Sequence, residues 1–312
     1  MKIVFLDRKT IGEDIDLSGF ERFGEVVIYD YSTSEEVPER VKDADIIVLN
    51  KVLVNESTIG QAKSLKLVCV TATGTNNLDK DYLASRGIEW RNVAGYSTEA
   101  VAQHTLALTL HLYEHLSYYD DYVKSERYVN DKLFTHFEKH FNEISGKTWG
   151  IIGLGAIGSR VAEIATCLGA NVVYFSTTGR NHSDIYKEVD FDTLLSTSDI
   201  ITIHAPLDEN TLHLIDKTAL EKMKNTAILV NVGRGPIIVE KDLADALECG
   251  QIAAAGLDVL DVEPMSSDNP LVRIKDSTKL IITPHIAWAA VEARQRLMKI
   301  IEGQIEDIIS SK

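Results

Sequence analysis

The stretch Thr148-Trp149-Gly150-Ile151-Ile152-Gly153-Leu154-Gly155-Ala156-Ile157-Gly158 decides the fold of this chain. It begins as a short apolar run typical of a strand, and its glycines at 153, 155 and 158 have the spacing G-x-G-x-x-G. An amphipathic helical pattern then runs to Gly169. A strand, a tight glycine turn and a helix in this order predict a dinucleotide site at Gly153, Gly155 and Gly158. Such a site needs unusual backbone angles, bare backbone near a pyrophosphate and close helix packing.

Two other interpretations of this region were weighed. Glycines also collect in ordinary turns, so a helix-packing turn that binds nothing is the alternative to a dinucleotide site. Gly146-Lys147-Thr148 imitates the end of a P-loop, but the first glycine of that motif would fall at Phe141. The sequence therefore does not support a nucleoside triphosphatase.

Composition predicts two domains and disfavours polyanionic partners. The 312 residues, 45% of them hydrophobic, exceed what one core usually holds. Lys and Arg number 32 against 47 Asp and Glu, and the net charge of −15 disfavours nucleic acid and anionic membranes as partners. An anionic substrate therefore requires a local positive group. No apolar run approaches the about 20 residues of a membrane span, and we expect a soluble, cytoplasmic protein.

The cysteines are expected to be structural. Cys69, Cys167 and Cys249 are odd in number, far apart and set in apolar surroundings, which favours buried free thiols over disulfides or metal ligands. No CxxC or HExxH pattern occurs in the sequence. We expect no structural metal.

Short runs rich in Val and Ile alternate with polar, helix-competent stretches along the chain. The predicted strands are Ile3–Leu6, Val26–Tyr29, Ile46–Leu49, Leu67–Val70 and Ile88–Asn92, and, after Trp149, Val172–Phe175, Ile200–His204, Ala227–Asn231, Ala254–Asp258 and Leu280–Thr283. This alternation predicts parallel sheets covered by helices. The predicted fold class is α/β, with two doubly wound parallel-sheet domains: a Rossmann dinucleotide-binding domain and a flavodoxin-like substrate domain.

The predicted domains are joined by helices. A long helical pattern opens at Ser97-Thr98-Glu99 and continues to about Lys124, and a final helix is predicted from Trp288 to Ile309, returning to the first domain. Residues 125–145 are predicted to be a connecting loop with a short helix. The substrate domain is thus predicted to comprise residues 1–97 and 288–312, and the NAD(P)-binding domain residues 98–287.

Histidines on the long helical pattern were considered as metal ligands. His104, His111 and His115 lie on it, and the last two are four residues apart, a spacing that could form a metal face. No third ligand is evident, so we interpret them as packing or surface residues.

The second strand of the predicted cofactor domain lacks the acid that selects NAD. Such an acid usually stands about 20 residues after the glycines and accepts hydrogen bonds from the adenine ribose. No acid occurs between Glu163 and Asp184, and Ser176 stands near the expected position. Ser176, Thr177 and Arg180 could hold a 2′-phosphate. The sequence therefore favours NADP(H); the alternative is that Arg180 is a solvated loop charge and NAD(H) binds.

Three segments each follow a predicted strand of the second sheet. They are Asn231–Gly235, Leu257–Pro264 and Thr283–Trp288, and each places an ionisable group beyond a carboxyl edge. Singly they are ordinary: a loop Arg, an acid before Pro and a lone His. Beside a dinucleotide motif they supply a carboxylate clamp, an orienting acid and a proton donor.

With these motifs the chain resembles the D-isomer-specific 2-hydroxyacid dehydrogenase family over essentially its whole length. Gly153–Gly158, Asn231–Gly235, Leu257–Pro264 and Thr283–Ala287 occur in the family's order with similar spacing. Two further stretches are similar to the glycerate dehydrogenase, or hydroxypyruvate reductase, branch. They are Tyr96-Ser97-Thr98-Glu99-Ala100-Val101-Ala102-Gln103-His104-Thr105 and Pro284-His285-Ile286-Ala287-Trp288.

The resemblance implies roles for individual residues. Arg234 would bind the substrate carboxylate and C2 oxygen, His285 would be the general acid and base, and Glu263 would pair with His285. Backbone amides around Thr73 and Gly74 would hold the carboxylate from the first domain. The branch likeness adds Trp288 to the substrate residues.

The resemblance also implies the cofactor contacts. They are Gly155, Ala156, Ile157, Gly158, His204, Pro206, Val232, Asp258 at the carboxamide, and His285. Two departures from the family affect them: Ala156 stands where many members have Arg, and Ser176 replaces the usual acid.

The predicted function is therefore a hydride transfer. The substrate would be a short 2-oxo acid and its D-2-hydroxy acid, with hydroxypyruvate or glyoxylate reduction favoured and NAD(P)H as the cofactor. The family implies a homodimer. The alternative is a regulatory protein that senses NAD(H) on the same fold without turnover, and a formate dehydrogenase is disfavoured because Glu263 beside His285 suits proton donation.

Overall fold

The computed structural model describes residues 1–310 and divides the chain into two compact units. One unit comprises Met1–Ser97 and Trp288–Lys312, and the other comprises Thr98–Ala287. Each unit contains one sheet, and each is built around its own apolar core.

The first unit has a five-stranded parallel sheet in the order β2-β1-β3-β4-β5. Its elements up to residue 97 are β1 (Lys2–Phe5), the 3-10 helices Arg8–Thr10 and Ser18–Phe23, β2 (Glu25–Ile28), α1 (Val37–Val41), β3 (Ile46–Leu49), α2 (Glu56–Ile59), β4 (Leu67–Val70), α3 (Lys80–Ser85) and β5 (Glu89–Arg91). All residues of β3 and β4 are buried, because helices cover a parallel sheet on both faces. The strand order is that of flavodoxin-like folds.

The second unit has a seven-stranded parallel sheet in the order β12-β11-β10-β9-β6-β7-β8. Its elements are α4 (Thr98–Tyr113), α5 (Leu116–Lys124), the 3-10 helix Tyr128–Asn130, β6 (Thr148–Ile152), α6 (Ala156–Cys167), β7 (Asn171–Phe175), β8 (Lys187–Glu188), α7 (Phe191–Thr197), β9 (Ile200–Ile203), α8 (Lys217–Lys222), β10 (Ile228–Asn231), the 3-10 helix Gly235–Ile237, α9 (Glu240–Cys249), β11 (Ala254–Leu257), the 3-10 helix Pro270–Arg273 and β12 (Leu280–Ile282). The strand order is the Rossmann order with one further strand. The predicted fold class is confirmed.

The glycine turn lies at the point where the order in which strands are added to the second sheet reverses. The chain moves outward from β6 through β7 and β8, then returns to add β9 on the other side of β6. Ligands of open α/β sheets bind at such a switch point, outside the carboxyl ends of the strands. The turn after β6 is therefore where a dinucleotide is expected.

The predicted long helix is wrong in one respect, because the pattern through Lys124 forms two helices. α4 ends at Tyr113 and α5 begins at Leu116, and His115 between them has a left-handed backbone, with φ 54°. His111 and His115 are therefore not on one helix. The short edge strand β8 was not predicted, since both of its residues are exposed and polar.

The cysteine prediction is also partly wrong. All three thiols are free, and Cys69 is buried in β4, where burial raises the pKa of its thiol to about 12. Cys167 and Cys249 are exposed, because each is the last residue of a helix, α6 and α9 respectively. Within residues 1–310, no helix combines the length and the apolarity that a bilayer span requires.

The final helix, α10 (Val291–Ser310), belongs to the first unit and is anchored there by Arg294. The guanidinium donates to the backbone carbonyls of Ile11 and Ala289, both at 2.8 Å, and forms a fork with the Asp14 carboxylate at 2.6 and 2.9 Å. Only 12% of the Arg294 side chain is exposed. The guanidinium therefore ties the backbone at Ile11 and at Ala289 to the first turn of α10.

Removing this donor is expected to loosen the final helix. Arg294→Met keeps most of the stem but leaves the carbonyls of Ile11 and Ala289 without their donor, so we expect the unit to lose about 1–3 kcal/mol of unfolding free energy. Hydrogen exchange of the α10 amides and thermal unfolding measure this loss. Arg294→Lys, which keeps the charge, is the matched control and should lose less. Unchanged exchange in Arg294→Met would contradict the anchoring role.

Candidate active site

Two glycines of the turn after β6 are required by packing inside the protein. Gly153 has φ 90°, and a Cβ there would lie 2.8 Å from the amide nitrogen of Ala205. A Cβ on Gly158 would lie 2.1 Å from the carbonyl oxygen of Gly153. These contacts allow β6 to turn sharply and α6 to lie close to the strand.

The middle glycine has no such internal reason. Gly155 has φ −80°, which any residue adopts, and a Cβ there would meet nothing within 4 Å. It is the N-cap of α6, whose first amides have no partner inside the helix. A bare backbone facing open space at a helix N-terminus fits a pyrophosphate, whereas a turn that serves packing alone does not call for glycine here.

The predicted adenosine end of the site carries no acid. β7 ends at Phe175, so Ser176 and Thr177 follow the strand directly and are half-buried, while Arg180 is exposed. Within residues 1–310 the Arg180 guanidinium forms no hydrogen bond or ion pair. A cation and hydroxyls without a competing carboxylate leave room for a phosphate.

His204 follows β9 and lies beside the glycine turn. Its backbone amide donates to the carbonyl of Ile152 at 2.8 Å, which extends the pairing of β9 with β6. Both ring nitrogens are buried and find no partner within residues 1–310, and burial lowers the pKa of the ring to about 3. The imidazole is therefore neutral and has bonding capacity for a polar ligand.

Two more predicted cofactor residues follow the neighbouring strands β9 and β10. Pro206 is exposed, and its carbonyl accepts a bond from the Thr211 hydroxyl at 2.7 Å, which orders the loop after β9. Val232 is buried directly after β10. Their contact with a dinucleotide, like that of Ala156 and Ile157 on the first turn of α6, stays a prediction.

Arg234 is presented by a turn that the Asn231 side chain organises. The Asn231 amide group donates to the carbonyl of Arg234 at 2.9 Å, and its oxygen accepts from the amide of Gly233 at 3.0 Å. Arg234 is half-buried, and its guanidinium donates only to the neighbouring Gly233 carbonyl, at 2.8 Å. It forms no ion pair within residues 1–310, so most of its donors remain for an anion.

The turn that carries Arg234 touches the loop that carries Glu263. A Cβ on Gly235 would lie 1.9 Å from the carbonyl carbon of Leu260. The glycine is therefore needed for the two backbones to meet. This contact brings two of the three predicted ionisable residues to neighbouring loops at one edge of the sheet.

Glu263 and His285 form a hydrogen-bonded pair. The His285 Nδ1 lies 2.7 Å from Glu263 Oε2, while Glu263 Oε1 accepts from the amide of Leu260 at 2.9 Å. An ionised carboxylate only accepts hydrogen bonds, so Nδ1 carries the proton of this bond and Nε2 is the other functional atom of the ring. Both side chains are partly exposed, at 33% and 27%, as groups that meet a ligand must be.

The turn that presents His285 is tied down by Asp258. The buried Asp258 carboxylate accepts from the amides of Ile286 at 2.9 Å and Ala287 at 2.8 Å and from the Thr283 hydroxyl at 2.6 Å. His285 itself has a left-handed backbone, with φ 56°. The sequence predicted Asp258 as a carboxamide contact; the structure gives its carboxylate a second task, which is to hold the turn.

The predicted substrate residues Thr73, Gly74 and Trp288 belong to the first unit. The Thr73 hydroxyl donates to the carbonyl of Val93 at 3.0 Å, and within residues 1–310 the amides of Thr73 and Gly74 meet no acceptor. These amides are thus available to an anion. The Trp288 ring packs edge-on against the Tyr96 ring, with centroids 6.3 Å apart.

The second unit therefore has the features of a nicotinamide-dependent oxidoreductase: a glycine turn that fits a dinucleotide, an Arg with no carboxylate partner in the described part of the chain, and a carboxylate–histidine pair. The sequence profile described as "D-isomer specific 2-hydroxyacid dehydrogenase, NAD binding domain" matches residues 106–287. The chain belongs to the D-isomer specific 2-hydroxyacid dehydrogenase family. The predicted resemblance is confirmed.

Similar proteins extend over the whole chain. A hydroxypyruvate reductase of Blautia hydrogenotrophica is 38% identical over 99% of this chain and 97% of its own length. A glycerate dehydrogenase of Methylorubrum extorquens is 36% identical, covering 100% and 97%. The solved D-lactate dehydrogenase of Aquifex aeolicus with NAD and lactic acid superposes with a TM-score of 0.85 at 25% identity, covering 99% and 96%. A nicotinamide cofactor and a small 2-hydroxy acid are therefore the ligand classes of this family.

Alanine at Gly155 is expected to weaken mainly dinucleotide binding, whereas alanine at Gly158 is expected to lower mainly the stability of the protein. Gly155→Ala places its methyl in open space, so we expect a stability loss below about 1 kcal/mol but dinucleotide binding weakened about tenfold or more. Gly158→Ala collides with Gly153 and should lose about 1–3 kcal/mol of stability. Thermal unfolding and fluorescence titration with NADH and NADPH separate these effects. Wild-type affinity in Gly155→Ala would contradict the cofactor site.

Proposed function

We propose that the protein reduces a short 2-oxo acid to the D-2-hydroxy acid with NAD(P)H, with hydroxypyruvate or glyoxylate as the substrate. The observation that carries this proposal is the Glu263–His285 pair at 2.7 Å, on the same sheet edge as an Arg234 that has no carboxylate partner within residues 1–310. The family to which the chain belongs and the two relatives described above, a hydroxypyruvate reductase and a glycerate dehydrogenase, support the substrate class.

The chemistry follows from what each side chain can do. A nicotinamide bound at the glycine turn would supply the hydride for C2 of the substrate. Arg234 binds the substrate carboxylate in a fork and stabilises the negative charge that grows on the carbonyl oxygen. His285 donates its Nε2 proton to that oxygen, and Glu263 holds Nδ1–H so that the ring keeps this orientation. In the reverse direction His285 is the base.

Thr73, Gly74 and Trp288 of the first unit are proposed as substrate contacts, as the family resemblance implies. The amides of Thr73 and Gly74 are held in place because the Thr73 hydroxyl and carbonyl bond to Val93 and Asn92. Backbone amides suit a carboxylate because they add donors without adding charge.

We propose NADP(H) as the preferred cofactor. Ser176 and Thr177 directly follow β7. Arg180 comes shortly after them, and its guanidinium has no partner within residues 1–310. A 2′-phosphate would gain charge-assisted bonds there, while a ribose hydroxyl of NAD would find no carboxylate acceptor in residues 164–183.

We also propose that the protein is a homodimer, as the family likeness implied. Large apolar side chains are exposed in high number between residues 116 and 141. They are Leu116, Val123, Tyr128, Val129, Leu133, Phe134, Phe137 and Phe141, with exposures from 38% to 88%. Exposed apolar side chains in this number, on a chain with a net charge of −15, support a protein–protein contact through this segment.

A steady-state comparison tests the activity. Purified protein is assayed with NADH and with NADPH against hydroxypyruvate, glyoxylate and pyruvate. Turnover of hydroxypyruvate or glyoxylate supports the proposal, and the better cofactor decides whether Ser176 to Arg180 holds a phosphate. Dinucleotide binding without turnover of any 2-oxo acid would instead support the sensing role.

Replacing Arg234 tests whether its guanidinium binds the substrate carboxylate through two paired hydrogen bonds. Arg234→Lys keeps a positive charge but loses the paired donors, so we expect kcat/KM for the 2-oxo acid to fall about 10²–10³-fold, with cofactor affinity unchanged. Stopped-flow and steady-state kinetics measure both quantities. Arg273→Lys, at a partly exposed arginine that pairs with Asp245 and Glu248, is the control. Near-normal kinetics in Arg234→Lys would remove Arg234 from the reaction.

Glu263→Gln tests the pair through its rate. The glutamine keeps the shape and an acceptor oxygen but loses the charge-assisted bond to the His285 Nδ1, which lies 2.7 Å from the carboxylate. We expect kcat for 2-oxo acid reduction to fall about tenfold or more, with cofactor affinity unchanged, because the ring is held less firmly. Asp261→Asn, which removes a nearby exposed charge outside the pair, should keep the wild-type rate. A wild-type rate in Glu263→Gln would remove the pair from the reaction.

A further inference from the structure

A histidine on α4 reaches the strand ends that carry the proton donor. The His104 Nε2 lies 3.0 Å from the Thr283 hydroxyl and 3.6 Å from Asp258 Oδ1. Its side chain is 19% exposed, and that of Asp258 is 1% exposed. The sequence pattern led us to interpret His104 as a packing or surface residue, and the proposed mechanism gives it no task.

The direction of the hydrogen bonds follows from what each group can donate. The Asp258 carboxylate only accepts, so the Thr283 hydroxyl gives it its single proton, at 2.6 Å. The Thr283 oxygen can then only accept from His104, so His104 Nε2 carries a hydrogen. His104, Thr283 and Asp258 therefore form a directed chain of donors that ends on the carboxylate.

The position of His104 is built into the packing of α4 on the sheet. A Cβ on Gly256 in β11 would lie 3.3 Å from Leu108 and from Leu112, so the absent side chain lets α4 approach the strand closely. His104 precedes Leu108 by one helical turn, and Asp258 is two residues after Gly256, directly beyond the end of β11. α4 and β11 run in opposite directions here, so His104 and Asp258 lie close together at the carboxyl edge of the sheet.

From Asp258 the contacts continue to the turn of His285. The carboxylate accepts from the amides of Ile286 and Ala287, and the Asp258 carbonyl accepts from the amide of His285 at 2.9 Å. The left-handed backbone of His285, with φ 56°, is costly for a residue with a side chain and persists only where surrounding bonds hold it. The bonds from Asp258 are such restraints.

We infer that His104 is a positioning residue for the proton donor, acting through Thr283 and Asp258 on the turn that presents His285. The inference rests on the proposed function only for the role of His285 as the proton donor. His104 orients the Thr283 hydroxyl, the hydroxyl fixes one oxygen of the Asp258 carboxylate, and the carboxylate fixes the amides that follow His285.

Two pairs of variants test this chain of bonds in the full protein. Thr283→Val removes the hydroxyl at constant shape and Thr283→Ser restores it; His104→Leu removes the donor and His104→Gln restores an N–H. We expect kcat for 2-oxo acid reduction to fall about tenfold in Thr283→Val and somewhat less in His104→Leu, with KM within about twofold, because a displaced donor slows proton transfer more than binding. The Ser and Gln variants should regain most of the lost rate.

The double variant separates a chain from two independent contacts. If His104 acts through Thr283, His104→Leu combined with Thr283→Val is no slower than Thr283→Val alone. Multiplied losses would overturn the inference. His111→Leu removes a histidine from the same helix outside this chain of bonds and controls for general effects on α4.

A second readout does not need turnover. In protein labelled with 13C at His Cε1, the His285 signal is assigned by its absence in His285→Gln. We expect that signal to shift or broaden in Thr283→Val and in His104→Leu and to return in Thr283→Ser. An unchanged His285 signal in both disrupted variants would overturn the inference, whether or not wild-type protein reduces a 2-oxo acid. An inactive wild type whose His285 signal moves as expected would reject the proposed function and keep the positioning.

Discussion

The buried carboxylate of Asp258 is the constraint on which the candidate site depends. An ionised acid that is 1% exposed must have its oxygens bonded, and its donors come from the Thr283 hydroxyl and from the amides that follow His285. Satisfying the acid therefore dictates the path of the chain after β12. That path places His285 in a left-handed conformation, which costs of the order of 1–3 kcal/mol and is offset by the bonds around it. The proton donor is oriented as a consequence.

Sheet topology supplies the rest of the arrangement. Arg234, Asp258 and His285 follow β10, β11 and β12, which are neighbours in the sheet, so parallel pairing alone brings their strand ends side by side. Gly235 then lets the Arg234 turn touch the loop that leads to Glu263. Residues far apart in sequence thus meet because the strands are parallel and adjacent. The topology thus fixes the positions of these residues, and their side chains determine the chemistry.

Much of the fold could be predicted because its signals are local. Continuous apolar runs such as Ile46–Leu49 and Leu67–Val70 are buried on both faces, and the predicted bounds coincide with the observed strands. The break at His115 has no such signal, because neither Gly nor Pro marks it and the helical pattern continues across it. The exposed Cys167 and Cys249 show the same limit, since their surroundings in sequence are apolar while their place at a helix end is solvated.

The residues of the candidate site also divide into those that the sequence could identify and those that it could not. Arg234, Glu263 and His285 could be found from motifs at strand ends, but His104 could not, because its partner Thr283 is 179 residues away in the chain. Only the close packing of α4 on Gly256 makes that contact. The second task of Asp258, which is to hold the turn of His285, could not be predicted for a related reason: the amides from which it accepts are backbone groups and have no sequence signal.

The most direct test of hydride transfer at this site is an isotope experiment. The protein is incubated with hydroxypyruvate and a reduced nicotinamide cofactor deuterated at C4 on the transferred side, and the product is analysed by NMR. The account predicts glycerate of D configuration with one deuterium at C2. Product without deuterium at C2, product of L configuration, or bound cofactor that is never oxidised by a 2-oxo acid would contradict it.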